Sequence, residues 1–384
     1  MRPEGPRGRF AGGLAAGGCV SMRRRVVMVL NDLAGGGTQR VATTMANAWA
    51  ARGDEVTLAL VSPETDAWTV DPRIRRIDLG LRRGTRTLLG ALRDYGAVVL
   101  RLRRLLRDVR PELAIGFIAH INVLLVLAGL GLGLRIAVSE RNDPSRQSFG
   151  PIWDRLRRWL YPLADIVTAN SQSALDALST YVPRQRLALL PNPLAAPPAP
   201  GNREKLVLAV GRLHRQKAYD VLIEAFARIA AEHSDWSLRI AGEGEERGAL
   251  ERAVSRHRLT DRVTLLGYVA DPAPLYAAAG IFVMASRHEG TPNALLEAMA
   301  AGLPCVVSDG VGGGLDFLRD EVSGLVVPRE QADALGRAMA RLMEDAALRL
   351  RIGEAARSAT VSCALPRVLG EWDSALELQP SPTG

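Results

Sequence analysis

From position 23 onward, short apolar runs alternate with longer stretches in which apolar residues recur every three or four positions. Residues 26–30 (VVMVL) form an unbroken apolar run, as expected of a strand buried on both faces. A Gly-rich turn follows, and residues 38–51 carry the helical period until Gly53 stops it. Residues 55–61 predict the next strand, and 93–107 predict a basic amphipathic helix ended by Pro111. Residues 113–134 contain no charge over 22 positions, long enough to span a bilayer. The same stretch holds His120, Asn122 and four glycines, and it divides into a strand (113–118), a buried helix (121–130) and the start of another strand (135–139). We read it as core.

Between 191 and 201 the pattern breaks: five prolines and three alanines fall in eleven residues, which neither a helix nor a central strand tolerates. Alternation then resumes, with strands predicted at 206–210, 236–241, 263–266, 281–285 and 304–308 and helices at 219–232 and 292–301. Strand–helix alternation implies right-handed crossovers and parallel sheets. The expected architecture is α/β, two doubly wound domains facing a central cleft, with ligands held outside the carboxyl ends of the strands. The divisions are an N-terminal extension (1–21) expected to be disordered, a first domain (22–190), a linker (191–204), a second domain (205–365) and a C-terminal helix and tail (366–384). A second possible translation start, Met22, opens the patterned region. The Gly- and Ala-rich stretch before it is too weakly apolar for a signal-peptide core.

Composition adds one asymmetry. With 47% hydrophobic and 23% charged residues the chain is globular, but residues 1–190 hold 28 Arg, no Lys and 16 acidic residues, a net of +12 against −4 for the remainder. That field favours an anionic partner: nucleic acid, an acidic membrane face or a phosphorylated acceptor. It equally fits a chain that uses Arg wherever others use Lys. The three cysteines, Cys19, Cys305 and Cys363, are too scattered for a zinc site or a disulfide framework, which fits a reducing compartment.

The strongest candidate chemistry lies at 285–304 (ASRHEGTPNALLEAMAAGLP). Thr291 is placed as a helix N-cap and Pro292 as the first helical residue, with Gly302 and Pro304 ending the helix. The free N–H groups of this helix start, at Asn293, Ala294 and Leu295, suit a phosphate or diphosphate. Glu297, one to two turns in, can bridge two ribose hydroxyls, and Glu289 can accept from sugar hydroxyls. A capped surface helix with two solvated glutamates fits the same residues. A second cluster, GRLHRQK (211–217), follows the first strand of the same domain. Its Arg212 and Lys217 offer a planar fork and a point charge to a leaving diphosphate. A third loop, AGEGE (241–245) with Gly242, also follows a strand tip.

These segments resemble the C-terminal domain of retaining family-4 glycosyltransferases with the GT-B fold, two Rossmann-like domains about a cleft. The matching stretches are 210–217, Gly242 with Glu243 and Gly244, LGY (266–268), Glu289 with seven residues before Glu297, GLPCVVS (302–308) and SGLVVP (323–328). The resemblance covers most of 205–355. It implies that Arg212 and Lys217 hold the donor diphosphate, that Glu297 binds the ribose and Glu289 the transferred sugar, and that a helix at 366–378 crosses back to the first domain. One departure is visible: the family follows a Gly-rich turn with Glu, where this chain has GGGLD (312–316), which puts a minor donor contact in doubt.

The first half is similar to the family less tightly. GGGTQRVA (35–42), with Gly36 and Gly37, resembles its glycine loop that closes on the donor phosphates, and SERN (139–142) resembles members that build bacterial surface polysaccharides and lipid-linked oligosaccharides. His120 matches a position where the family sometimes has an active-site His; a histidine satisfied in a buried turn fits as well. No Asp, Glu, His cluster has metal-ligand spacing, so neither metal nor cofactor is expected. The expectation is a hexosyltransferase that uses a nucleotide-sugar donor, UDP-linked by family frequency, and a glycan or polyprenyl-diphosphate-linked acceptor. The expected location is the cytoplasm, with peripheral contact to an anionic membrane. Arg82, Arg83, Arg93 and residues 101–107 mix charge and apolar faces as interfacial helices do; a solvated helix packed on its sheet has the same pattern. Two other classes remain. A same-fold epimerase or hydrolase would keep the donor residues without an acceptor. A basic nucleic-acid-binding protein would explain a pI near 10.0, but with 5% aromatics and no recognition motif no nucleic acid is expected.

Overall fold

The computed structural model describes residues 24–377 apart from 35, 63, 65, 82–86, 146 and 198–200. The expected N-terminal extension, Cys19, Gly35, Arg82, Arg83 and part of the Pro-rich linker lie outside the described residues.

The first domain is built on seven parallel strands: β1 (Arg25–Leu30), β2 (Glu55–Leu60), β3 (Arg75–Asp78), β4 (Leu113–Phe117), β5 (Arg135–Glu140), β6 (Ile166–Ala169) and β7 (Leu187–Leu189). Their order is β3-β2-β1-β4-β5-β6-β7. Five helices, α1 (Gly37–Ala51), α2 (Leu88–Val109), α3 (Ala119–Gly129), α4 (Pro151–Leu160) and α5 (Gln172–Ser179), cover it. The second domain repeats the plan with β8 (Leu206–Val210), β9 (Ser237–Ala241), β10 (Val263–Gly267), β11 (Ile281–Met284), β12 (Cys305–Ser308) and β13 (Leu325–Val327), in the order β10-β9-β8-β11-β12-β13. Its helices are α6 (Tyr219–Ile229), α7 (Arg247–Arg256), α8 (Ala273–Ala278), α9 (Asn293–Ala300), α10 (Ala332–Glu344) and α11 (Ala346–Ala359), and α12 (Leu365–Glu377) ends the described chain.

Both sheets are buried on both faces, which explains the unbroken apolar runs. In β1, Val27 and Val29 join one core while Val26, Met28 and Leu30 join the other. In β8, Val207 and Ala209 face one side and Leu206 and Leu208 the opposite one. The strand period of two divides each run between two cores. The uncharged stretch 113–134 becomes β4 and α3, both packed inside the first domain. Among the described residues no helix is long and apolar enough to cross a membrane.

The last helix returns to the first domain. Val368, Trp372 and Leu376 of α12 enter the core that holds Trp49, and the Trp49 and Trp372 rings meet edge-on at 6.4 Å. Asp373 takes Arg24 at 2.6 Å and Arg52 at 2.8 Å. The chain therefore crosses between domains at the linker and again before α12.

Strand order reverses between β1 and β4 and between β8 and β11, and the loops leaving β1, β8 and β11 line one cleft.

Candidate active site

Gly36 and Gly37 open the cleft on the first-domain side. Gly36 sits at φ 120°, where a β-carbon is strained, and leads straight into α1. Opposite, β8 runs into the loop carrying Arg212 and Lys217. Gly242 stands behind that loop: at φ 153° its absent β-carbon would lie 1.9 Å from the Gly211 carbonyl oxygen. Gly242 does not line the cleft; it lets the loops after β8 and β9 touch and so fixes where Arg212 starts.

Helix α9 differs at its start from the capping geometry the sequence predicts. Pro292 is the N-cap, in extended backbone and with no side-chain cap, and Asn293 is the first helical residue. Thr291 is not the cap: its hydroxyl donates to the Asn170 carbonyl oxygen of the first domain at 3.1 Å. Proline has no N–H and fixes its own φ, so the turn is set without a hydroxyl cap, and Thr291 becomes a tie between domains. Pro292, Asn293 and Ala294 line the cleft. The Leu295 side chain is fully buried in the core beneath, so only its main-chain N–H belongs to the helix start.

The cleft has a volume of about 620 Å³ and brings together Gly36, Gly37, Arg212, Lys217, Glu289, Thr291, Pro292, Asn293, Ala294 and Glu297. Lys217 Nζ lies 2.7 Å from Glu289 Oε1, both side chains largely withdrawn from solvent. Arg212 is exposed and makes no ion pair with the described residues. Glu297 Oε1 is 2.7 Å from Arg40 Nη1 of the first domain, and its other oxygen is buried without a hydrogen-bond partner among the described residues. Burial pushes the Glu297 carboxyl up from its ordinary value, against the pull of Arg40 and of the neighbouring Tyr276 hydroxyl. That hydroxyl is close to the carboxylate but makes no well-formed hydrogen bond.

His120 is not among the cleft-lining residues. It is half-buried at the start of α3, its ring 6.1 Å from those of Phe149 and Trp153. Burial lowers its pKa, and the Asp32 charge opposes that. Asp32 in turn accepts from Gln39, which does line the cleft, at 3.2 Å. The preceding Ile118 is held at φ 75°, a costly conformation for a β-branched residue.

Several residues that sequence reasoning did not assign complete the walls. Asn192, inside the stretch read only as a Pro-rich break, donates to Asn293 Oδ1 at 2.6 Å and accepts from Arg141 at 2.7 Å and Asn170 at 3.1 Å. Asn293 also donates to the Gly37 carbonyl at 3.0 Å. Glu140 is fully buried below Arg141. It accepts from the Arg141 and Asn142 N–H groups at 3.2 and 3.3 Å and from the Tyr161 hydroxyl at 2.9 Å, and burial raises its pKa. The GGGLD departure also has a place: Asp316 accepts from Gln172 N at 2.8 Å, at the start of α5. The signal for Arg40 and Asn192 was slight, because each acts across the domain boundary.

A helix start with free main-chain N–H groups, two cations and a largely buried carboxylate line one cleft, groups of the kind that suit a nucleoside diphosphate. Residues 195–359 match the family described as glycosyl transferases group 1, and residues 35–195 match glycosyltransferase family 4. An uncharacterized glycosyltransferase of Haemophilus influenzae is 23% identical over 92% of this chain and 100% of its own. A Campylobacter jejuni alpha-1,4-N-acetyl-D-galactosaminyltransferase named for a diphospho-undecaprenol-linked saccharide is 24% identical over 91% of this chain and 97% of its own. Among solved structures, Anabaena HepE in complex with UDP and glucose superposes with a TM-score of 0.80 at 17% identity, covering 92% of this chain and 100% of that one. The two family matches together run from residue 35 to 359 without a gap, and the chain belongs to the family-4 glycosyltransferases of GT-B fold.

Proposed function

We propose that this glycosyltransferase moves a hexosyl group from a UDP-sugar, with retention of anomeric configuration, to a glycan carried on a polyprenyl diphosphate, in the synthesis of a surface polysaccharide or glycolipid. The observation that carries this reading is the convergence of Arg212, Lys217, Glu297 and the first turn of α9 on one cleft. The relatives support the finer choices: the Campylobacter enzyme for the lipid-linked acceptor and the HepE complex for UDP.

On this reading the ribose hydroxyls bind Glu297, competing with Arg40 for its carboxylate. The diphosphate sits at the main-chain N–H groups of Asn293, Ala294 and Leu295, with Arg212 and Lys217 against its oxygens. As Lys217 turns to the phosphate, Glu289 is released to accept from hydroxyls of the transferred sugar. The bond from the anomeric carbon to the phosphate oxygen breaks and the acceptor oxygen bonds to the same face. The acceptor proton passes to the departing phosphate. Negative charge grows on the leaving group during this step, so fixed cations and N–H dipoles aimed at it lower the barrier. Gly36, Gly37 and Asn293 draw the domains together and keep water from the anomeric carbon. His120 belongs to the first domain and does not line the cleft, so no contact with the acceptor is assigned to it. These side chains supply the positive charge, so activity should survive EDTA.

The first-domain surface supports a membrane-bound acceptor. Tyr95 of α2 and Trp153 of α4 meet at 5.1 Å. These two helices expose Leu92, Leu100, Ile152 and Trp159 together with Arg93, Arg104, Arg155 and Arg158.

Incubation with a panel of UDP-sugars and a polyprenyl-diphosphate-linked glycan, followed by NMR of the product, tests the proposal. An α-linked product from an α-linked donor is expected. Inversion, release of free sugar alone, or an epimerised donor would each contradict it.

A further inference from the structure

Arg141, at the end of β5, is only 5% exposed, yet it lines the cleft. Its Nη1 donates to Asn192 Oδ1 at 2.7 Å and its guanidinium lies 5.6 Å from the centre of the Phe117 ring. Its Nε and Nη2 are buried with no hydrogen-bond partner among the described residues. The carboxylate that acts on it, Glu140, spends its oxygens on two main-chain N–H groups and the Tyr161 hydroxyl. Burial lowers the guanidinium to about 10, so it remains a cation at neutral pH. A buried cation with two idle donors is destabilising on its own and asks for an anion.

The position says which anion. Asn192, which takes Arg141 Nη1, also donates to Asn293 Oδ1 at 2.6 Å, so one side chain separates the guanidinium from the first turn of α9. The loops touch as well: a β-carbon on Gly290 would lie 3.2 Å from the Arg141 carbonyl oxygen. Arg212 and Lys217 line the cleft from the second domain, and Arg141 lines it from the first.

We propose that Arg141 is a third phosphate-binding cation of the cleft, supplied by the first domain, whose Nε and Nη2 take a diphosphate oxygen of a bound substrate. This rests on the nucleotide-donor reading above. The diphosphate has two possible sources, the donor nucleotide and the polyprenyl diphosphate of the acceptor, and both present the same chemistry. Because Arg141 and α9 belong to different domains, a phosphate held by both also draws the domains together.

The test is calorimetric titration of the full chain, wild type, Arg141→Gln and Arg141→Lys, with UDP, with uridine, and with farnesyl diphosphate after saturation with UDP. Arg141→Gln is expected to weaken UDP binding by about tenfold or more while uridine binds unchanged. Arg141→Lys, which keeps the charge and loses the fork, should fall between. If UDP is unaffected and farnesyl diphosphate alone weakens, the acceptor is the source of the phosphate. Equal weakening of UDP and uridine, or no change in either diphosphate, overturns the proposal. Wild-type protein that binds none of the three ligands overturns the donor reading itself, and this inference with it. The uridine arm reports an intact nucleoside site, so a misfolded variant is recognised.

Discussion

Lys217 and Glu289 are held 2.7 Å apart in a largely withdrawn pair, and on our reading the donor phosphate competes for the lysine. Lys217→Ala should therefore lower kcat/KM by on the order of 100-fold or more, measured with the preferred donor, because a fixed cation aimed at the leaving group is lost. His120 gives a test in pH. Its folded pKa is lowered below the ordinary 6.5 by burial, so the unfolded chain takes up this proton first as pH falls. The contribution is fully present above pH 6.5 and is lost as pH drops through 6.5 toward the folded value. Thermal melts at pH 5.5 and 7.5 should show His120→Asn losing less stability than wild type between the two. Equal losses would mean that His120 does not titrate differently on folding. At this scale the sequence was informative where chemistry follows directly from a strand tip or sits on a helix, as with Arg212, Lys217 and Glu297. Thr291 misled, because a hydroxyl before Pro292 looks like a cap whether it bonds to its own helix or to Asn170 across the cleft. Arg40 and Asn192 were missed for the same reason: their partners belong to the other domain.

Elements buried on both faces were the most legible. The apolar runs of β1, β4, β5, β8, β11 and β12 are continuous, and the structure has strands there. The edge strand β3, with its RRID sequence and largely exposed pattern, carries little apolar signal, and β7, apolar in sequence, is only three residues long; neither was read. Helix α4 was missed too, although Trp153, Leu156 and Leu160 recur at helical spacing in PIWDRLRRWL; it is ten residues long, rich in Arg, and fully buries only Arg157 and Leu160. Helix α12 owes its place to tertiary packing. Trp372 is fully buried against Trp49 in the first domain. Trp372→Ala should cost about 3–5 kcal/mol in denaturant unfolding, chiefly in the first domain. A change below about 1 kcal/mol would show that α12 is not part of that core. Gly242 makes a sharper local test. Gly242→Ala drives a β-carbon into the Gly211 carbonyl, so it should displace the Arg212 loop and weaken UDP more than uridine.

At the scale of the whole molecule, the Arg surplus and the two most exposed large apolar side chains belong to the first domain. The first domain's surplus of Arg, with Trp159 67% and Leu100 67% exposed, makes it the side that meets a membrane in our account. Not all of that charge is free: Arg101 donates to the Leu79 and Gly80 carbonyls and Arg103 to those of Ala128 and Leu130. The protein should co-sediment with vesicles rich in anionic lipid, less so as salt rises, and Trp159→Ala should reduce that binding severalfold. Binding indifferent to lipid charge would remove the interfacial reading while leaving the donor site untouched. That site is the centre of the account, and nucleotide calorimetry on wild type and Glu297→Ala addresses it most directly. The account predicts that wild type binds UDP in preference to GDP and ADP, and that Glu297→Ala loses most of that affinity with its fold intact. No nucleotide binding by the wild type, or UDP binding unchanged in the variant, would contradict it.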